Sequence, residues 1–235
     1  MLLLTALEKL VGIKKQRIHT AANEKVWLGG REMAQARVLN EKELKLLLLY
    51  VSTRKYAARD RGIIFCSYYA GMRIGEIAAL KISDVLNLDG SIKEEIRLTA
   101  AQTKGMRGRV VVLSEKLRKE LQAYLMHRFS ASSAKDLIAV SYSEAMSKAL
   151  FVTQKKKEAG FTANGAAWHM HQLYKQAGLD GCSSHSGRRT FATTIAAKGT
   201  AIKTIMELLG HRQIATTSRY ISVTADMKRA AVELI

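Results

Sequence analysis

Residues 185–193 read His-Ser-Gly-Arg-Arg-Thr-Phe-Ala-Thr, and the reading of this stretch decides the fold. His185 and Arg188 stand three apart, so on a helix they share a face and can converge on one anion. A helix beginning near Ser184 adds its N-terminal amides and the positive end of its dipole to that anion site. Toward the C-terminus, Leu208-Leu209-Gly210-His211 brings a second imidazole, and Tyr220 follows nine residues later. Toward the N-terminus, Ala70-Gly71-Met72-Arg73-Ile74-Gly75-Glu76 sets an arginine just after a glycine break, with an acid three positions on. Arginine offers a planar bidentate fork that suits phosphate oxygens better than the point charge of lysine. A tyrosine hydroxyl, with an ordinary pKa of about 10, is a weak nucleophile until its phenolate is stabilised. Two arginines and a nearby imidazole can provide that.

Around these segments the pattern is mostly helical. Asn40 caps a helix over roughly 41–54, Glu43 completes a capping box, and Leu39 staples onto Leu44. A buried helix runs through Asp60–Ala70 until Gly71 breaks it, and Ile74–Leu80 resumes the helical pattern. Asp89-Gly90 reads as a hairpin turn between strands Val85–Leu88 and Glu95–Ala101. Arg109–Leu113 is a third strand, reached through the basic turn Thr103-Lys104-Gly105-Met106-Arg107-Gly108. Ser114 caps a helix whose apolar face carries Leu117, Leu121, Tyr124 and Leu125. Helices dominate from there onward, the last over Ala225–Ile235 with Met227, Ala231 and Leu234 on one stripe. At the front, residues 1–18 read as a short amphipathic helix and Gly29-Gly30 as a linker. The expected fold class is α+β: a mostly helical domain over 37–235 with a small antiparallel three-stranded sheet, behind a short helical segment and linker over 1–36.

Composition narrows the partner. The 235 residues include 38 Lys plus Arg against 20 Asp plus Glu, a formal net charge of +18, with 48% apolar residues to fill a core. A chain of this length buries roughly 70–75% of its unfolded surface, so it needs no disulfide or metal staple. The charge calls for a polyanion, and nucleic acid binding by counterion release is the leading reading. An anionic membrane surface is the rival polyanion; no stretch reaches the ~20 apolar residues of a spanning helix, and the expected partner is DNA with no membrane. The opening MLLLTAL has no basic segment ahead of it, so it does not read as a secretory signal. Cys66 in an apolar run and Cys182 beside Gly181 form no pattern, which points to a reducing compartment, the cytoplasm or nucleoid. His19, His127, His169 and His171 carry no chelating arrangement; the last two, two residues apart, diverge on a helix. With no proline in the chain, its turns rest on Gly, Asn, Asp and Ser.

On these residues the chain resembles the tyrosine recombinases, the phage-integrase family, whose members share Arg, Lys, His-x-x-Arg, His or Trp, and Tyr. The resemblance covers about residues 37–235. It places the first arginine on Arg73 with Glu76 as its supporting acid, the hairpin lysine on Lys104, the box on His185 and Arg188, the next histidine on His211 and the nucleophile on Tyr220. It implies site-specific strand exchange on double-stranded DNA with no metal, ATP or other cofactor. In that chemistry Tyr220 attacks a scissile phosphate to give a 3′-phosphotyrosyl link and a 5′-hydroxyl. Arg73, His185, Arg188 and His211 stabilise the transition-state charge, and Lys104 protonates the leaving oxygen. Arg107, Arg109, Arg189 and Arg212 are the expected DNA-backbone contacts.

The resemblance further implies a tetramer on DNA held by exchange of the C-terminal tail. Four departures stand out. Val112-Leu113 replaces a common Pro-Leu, Gly187 replaces a leucine and lowers helix propensity at the box, and Arg189 replaces a histidine. The fourth is that residues 1–36 are too short for the family's N-terminal clamp domain, so either the chain is a truncated form or the role falls to an accessory protein or a reduced clamp. Two other activities fit the same scaffold: nicking and resealing alone, in the manner of type IB topoisomerases, and DNA binding without catalysis.

Overall fold

Asn40 opens the first helix, α1 (Glu41–Ser52), through a reciprocal cap. Its Oδ1 accepts from the Glu43 amide at 2.9 Å, and the Glu43 carboxylate accepts from the Asn40 amide at 2.9 Å. Two of the helix's orphan amide donors are thereby satisfied. Leu39 and Leu44 are both buried, as the staple requires, and Leu44, Leu47 and Val51 form the inward stripe. The computed structural model describes residues 35–103, 107–154 and 159–234. The amphipathic helix expected over 1–18, the Gly29-Gly30 linker and Lys104 lie outside the described residues. From Ala36 onward the chain clusters as one compact unit.

The second helix, α2 (Ala57–Tyr69), buries Ile63, Ile64, Phe65 and Cys66 in succession, which only a helix enclosed by its neighbours can do. It ends at Gly71, whose φ is +58°. A β-carbon there would stand 2.6 Å from Phe191 and 2.9 Å from Leu209, so both backbone conformation and space demand glycine. The turn delivers Arg73 to the start of α3 (Ile74–Ala78), and α4 (Ile82–Val85) follows.

The sheet has two strands, not the three expected. β1 (Glu95–Leu98) pairs antiparallel with β2 (Arg109–Val112), with Ile96 opposite Val111 and Leu98 opposite Arg109. Ile96, Leu98 and Val111 turn inward and are buried. The stretch expected as a first strand is drawn off by burial at helical spacing. Ile82 and Val85, three apart, are both buried on one face of α4, leaving Leu86 a single bridge to Ile92. The Asp89-Gly90 turn forms between them without a ladder to extend. β1 itself stops at Leu98 because Ala100–Gln102 winds into a 3₁₀ turn.

Ser114 caps α5 (Glu115–Phe129) at the Leu117 amide, and Leu117, Leu121, Tyr124 and Leu125 are its buried face. α6 (Leu137–Ser141) and α7 (Ala163–Gln176) complete the main core, α7 contributing Met170, Leu173 and Tyr174. α8 (Ser186–Ala197) then crosses α2 at very short range. A β-carbon on Gly187 would fall 2.4 Å from Ser67 Oγ and 2.9 Å from Ser67 Cβ. The glycine in the box is therefore what lets the two helices touch. After α9 (Ile202–Leu209) and α10 (Ile214–Ser218), a small second core gathers Ala192, Ile205 and Leu209 with Phe191, Tyr220 and Ile221. The last helix, α11 (Ala225–Val232), buries none of its residues. No helix among the described residues is long and apolar enough to cross a membrane.

Candidate active site

Arg188, one turn into α8, is 0% exposed, and its fork is clamped from two sides. Nη1 donates to the Gly71 carbonyl, while Nη2 donates to the Leu209 carbonyl at 2.6 Å and to His211 Nε2 at 2.8 Å. The glycine break after α2 and the end of α9 thus converge on one guanidinium. Its Nε is buried without a hydrogen-bond partner among the described residues.

Glu76, 1% exposed, organises two more arginines. Its carboxylate accepts from Arg73 Nη1 at 2.8 Å, from the Arg73 amide at 2.8 Å, and from Arg109 Nη2 at 2.7 Å and Nε at 3.2 Å. The remaining Arg109 nitrogen donates to the Leu208 carbonyl at 2.9 Å. Burial alone would raise the Glu76 carboxyl, but the hydrogen bonds and charge of Arg109, then of Arg73, hold it below the usual carboxylate range. Two guanidinium groups therefore share one carboxylate while Arg188 beside them has none, and the balance is cationic. Burial lowers the pKa of Arg188, and the positive charges of Arg73 and Arg109 lower it further. Such a centre is improved by an incoming anion.

His211 sits in this field as a neutral base. Burial first, and then the charges of Arg188, Arg73 and Arg109, push its pKa down to about 4. An arginine can only donate, so the contact from Arg188 requires a lone pair on Nε2. The ring proton is then on Nδ1, which donates to Thr217 Oγ1 at 3.0 Å. Tyr220 lies against the same group: its ring centroid is 5.0 Å from that of His211 and 5.3 Å from Arg188 Cζ. A cation over an aromatic face is attracted by the ring quadrupole, which holds the half-buried Tyr220 ring in place.

Arg73, Arg188, His211 and Tyr220, expected together, are brought together. His185 is exposed at the N-cap of α8, one turn ahead of Arg188. Lys104 is outside the described residues, while Arg107 and Arg212 are exposed. Arg109 and Arg189, expected on the DNA backbone, lie inside the scaffold. Arg109 is engaged at all three nitrogens, as above. Arg189 is buried and donates to the Ala36 carbonyl at 2.5 Å and to Ser222 Oγ at 2.9 Å, tying the segment after Tyr220 to the start of the domain. Both were drawn inward by acceptors far away in sequence, which no local pattern displays. Sequence reasoning also missed Thr217 and the Gly71 and Leu209 carbonyls. Only the glycine break hinted at the last pair.

The other ionisable cluster lies at the first turn of α2, where Asp60 accepts from Arg59 and His169. His171 points to the exposed face of α7, so the two histidines diverge. Among the described residues no three His, Cys, Asp or Glu are placed to hold a metal ion.

Comparison with known proteins gives the family. The profile of the Phage integrase family matches residues 37–227. The tyrosine recombinase XerA of Thermococcus kodakarensis is 32% identical over 199 residues, which make up 84% of this chain and 62% of that protein. The tyrosine recombinase XerD of Corynebacterium glutamicum is 31% identical over 173 residues, 73% of this chain and 50% of that protein. The chain thus spans between 50% and 62% of the length of these relatives. The crystal structure of a XerA recombinase superposes with a TM-score of 0.64 at 28% identity, covering 84% of this chain and 65% of that one. The Tn1549 transposon integrase in complex with transposon right end DNA shares the fold, with a TM-score of 0.60 at 19% identity, over 88% of this chain and 68% of that one. With the profile covering nearly all of the chain from Ala36 onward, the chain belongs to the phage integrase family of tyrosine recombinases.

Proposed function

We propose that this chain carries the catalytic part, residues 37–235, of a site-specific DNA recombinase or integrase that cleaves and rejoins strands through Tyr220. The observation that carries the reading is the excess of guanidinium over carboxylate beside that tyrosine. Glu76 holds Arg73 and Arg109, Arg188 is buried against His211, and the Tyr220 ring packs on Arg188. As a phosphate enters, the Tyr220 hydroxyl loses its proton to solvent, its oxygen bonds to phosphorus and the bond to the 5′ oxygen breaks, leaving a 3′-phosphotyrosyl link and a 5′-hydroxyl. Charge on the pentavalent transition state falls on donors fixed beforehand, which is usually the largest catalytic term. Arg73 and Arg188 supply those donors, supported by His185 and His211. Arg109 acts behind them by holding Glu76, and Lys104 protonates the departing oxygen in keeping with the family pattern. The bond energy is retained in the phosphotyrosine, so a second 5′-hydroxyl can reverse the step without metal or ATP.

Double-stranded DNA is the partner, with Arg107 and Arg212 on its backbone. The unburied α11 docks on a neighbouring subunit in a tetramer on DNA. The cytoplasm, at the nucleoid, is the site of action.

The test is covalent trapping. Wild-type protein is incubated with a pool of nicked duplexes of random sequence, in which cleavage beside the nick releases a short product and strands the adduct. A protein–DNA adduct that disappears in Tyr220→Phe is expected. No adduct with wild type, or an equal one with Tyr220→Phe, sinks the reading, and sequencing the trapped DNA gives the target site.

A further inference from the structure

We infer that Thr217 is a positioning residue for the strand-cleavage site: its hydroxyl fixes the proton of His211 on Nδ1, and its carbonyl anchors the turn that carries Tyr220. Thr217 is 0% exposed in α10, with Oγ1 3.0 Å from His211 Nδ1. Its carbonyl accepts from the Tyr220 amide at 2.9 Å. One small residue therefore touches the imidazole through its side chain and the nucleophile's backbone through its main chain.

The argument is one of donor counting. Arg188 Nη2 donates to His211 Nε2 at 2.8 Å, and a guanidinium has no lone pair to accept with. Nε2 must be the acceptor, and a neutral imidazole then carries its single proton on Nδ1. That buried N–H needs an acceptor, and the Thr217 hydroxyl is the group within reach. If the hydroxyl is removed, the Nδ1 proton faces an apolar wall. Moving the proton to Nε2 sets two donors against each other at the Arg188 contact. Either outcome releases the Arg188 fork that the catalytic reading depends on. In this arrangement His211 acts on the phosphate through Arg188, not by donating to it directly. The inference deepens the role proposed above for His211 and rests on that reading of Tyr220 as nucleophile.

The experiment uses the full chain labelled with ¹⁵N-histidine, reading the ring nitrogens of His211 at pH 7 beside the rate of adduct formation on the nicked pool. Wild type and Thr217→Ser are expected to show a protonated Nδ1 and an unprotonated Nε2. Thr217→Val is expected to show a mixed or reversed tautomer, with adduct formation about 10–100-fold slower, the scale of one buried hydrogen bond left unmade. Thr217→Ser should stay within about threefold of wild type. An Nε2-protonated His211 in wild type overturns the inference, as does Thr217→Val with unchanged tautomer and rate. If Thr217→Val does not fold, the wild-type and Thr217→Ser spectra decide it. Absence of any adduct from wild type removes the catalytic reading alone, since the tautomer is read without DNA.

Discussion

The helix α2 has a buried carboxylate cluster near each end, built from nearly the same parts. At its first turn, Asp60 accepts from Arg59 at 2.7 and 2.9 Å and from His169 at 2.8 Å, with Arg54 standing 3.7 Å off. The Arg59 guanidinium is stacked between the rings of Tyr56 and Phe161, which close the cluster from outside. Beyond its last turn, Glu76 holds Arg73 and Arg109, and the third arginine, Arg188, has a histidine but no carboxylate. Arg59 is 4% exposed and Asp60 0%, whereas the Arg73 side chain remains 26% exposed. The first end sets Arg59, a partly exposed Arg54 and a histidine against one carboxylate; the second sets three guanidinium groups and a histidine beside one carboxylate. The presence of Arg, His and carboxylate does not separate scaffold from chemistry. The excess of guanidinium over carboxylate does.

The sharpest way to break this comparison is to remove one charged partner at each end. Arg188→Ala should slow adduct formation by about 10³-fold, because it removes fixed transition-state donors and leaves His211 without its partner. The opposite result belongs to the Asp60 end. Asp60→Ala strands Arg59 in the core and should cost about 3–5 kcal/mol in chemical denaturation, while the folded fraction still forms adduct. If Asp60→Ala abolished adduct formation at full stability, or Arg188→Ala left the rate intact, the division between the two ends would be wrong.

Contact between the ends can be tested at Gly187, where α8 presses on Ser67 of α2. Gly187→Ala places a methyl group 2.4 Å from Ser67 Oγ. It should cost about 1–3 kcal/mol by overpacking, even though alanine is the better helix former. A gain in melting temperature would show that helix propensity outweighs the close approach. The paired change Gly187→Ala with Ser67→Gly should recover part of the loss.

What could be read in advance follows the range of the forces involved. The Asn40–Glu43 cap and the Ser114 helix were legible because their partners lie within one turn. Arg73, Arg188, His211 and Tyr220 were legible as a set because their spacing and residue types match a known chemical pattern. The Glu76–Arg109 pair spans 33 positions and the Asp60–His169 pair 109, and neither has a local signature. The lost third strand has the same origin. The Asp89-Gly90 turn signal pointed to a strand at Val85–Leu88, but the core took Ile82 and Val85 together at helical spacing.

A smaller effect is expected from pH, and it separates the histidine of the Arg188 cluster from the buried carboxylates of both ends. The folded pKa of His211 is about 4 against an ordinary value of 6.5. Below about pH 6.5 the unfolded chain binds a proton at this site that the folded chain refuses, so stability falls as pH drops toward 4 and is whole above 6.5. Asp60 and Glu76 are both held low, Asp60 by His169 and Arg59 against the opposing effect of burial. Their contributions are present above the ordinary carboxylate pKa and fail only as pH falls through their lowered values. Melting curves between pH 7 and 4.5 should therefore show a slope that His211→Gln reduces and Glu76→Gln does not. Equal slopes in wild type and His211→Gln would place the titration elsewhere.

The least effect on stability, and the most selective effect on assembly, belongs to the tail. α11 buries none of its residues, and Val232 and Leu234 are 69% and 87% exposed. Deleting residues 224–235 should change stability by no more than about 0.5 kcal/mol, as for a surface change that removes no buried contact. On the proposed tail exchange, its loss should be felt between subunits. Mass measurements on DNA should give a tetramer with the full chain and lower-order complexes with the deletion, while single-site adduct formation persists because Tyr220 remains anchored to Thr217 and Arg188. A tetramer that survives the deletion assigns assembly to another surface. Loss of the adduct along with the tetramer would mean that the nucleophile is completed only by a neighbouring chain, and the self-contained site described here would have to be divided between subunits.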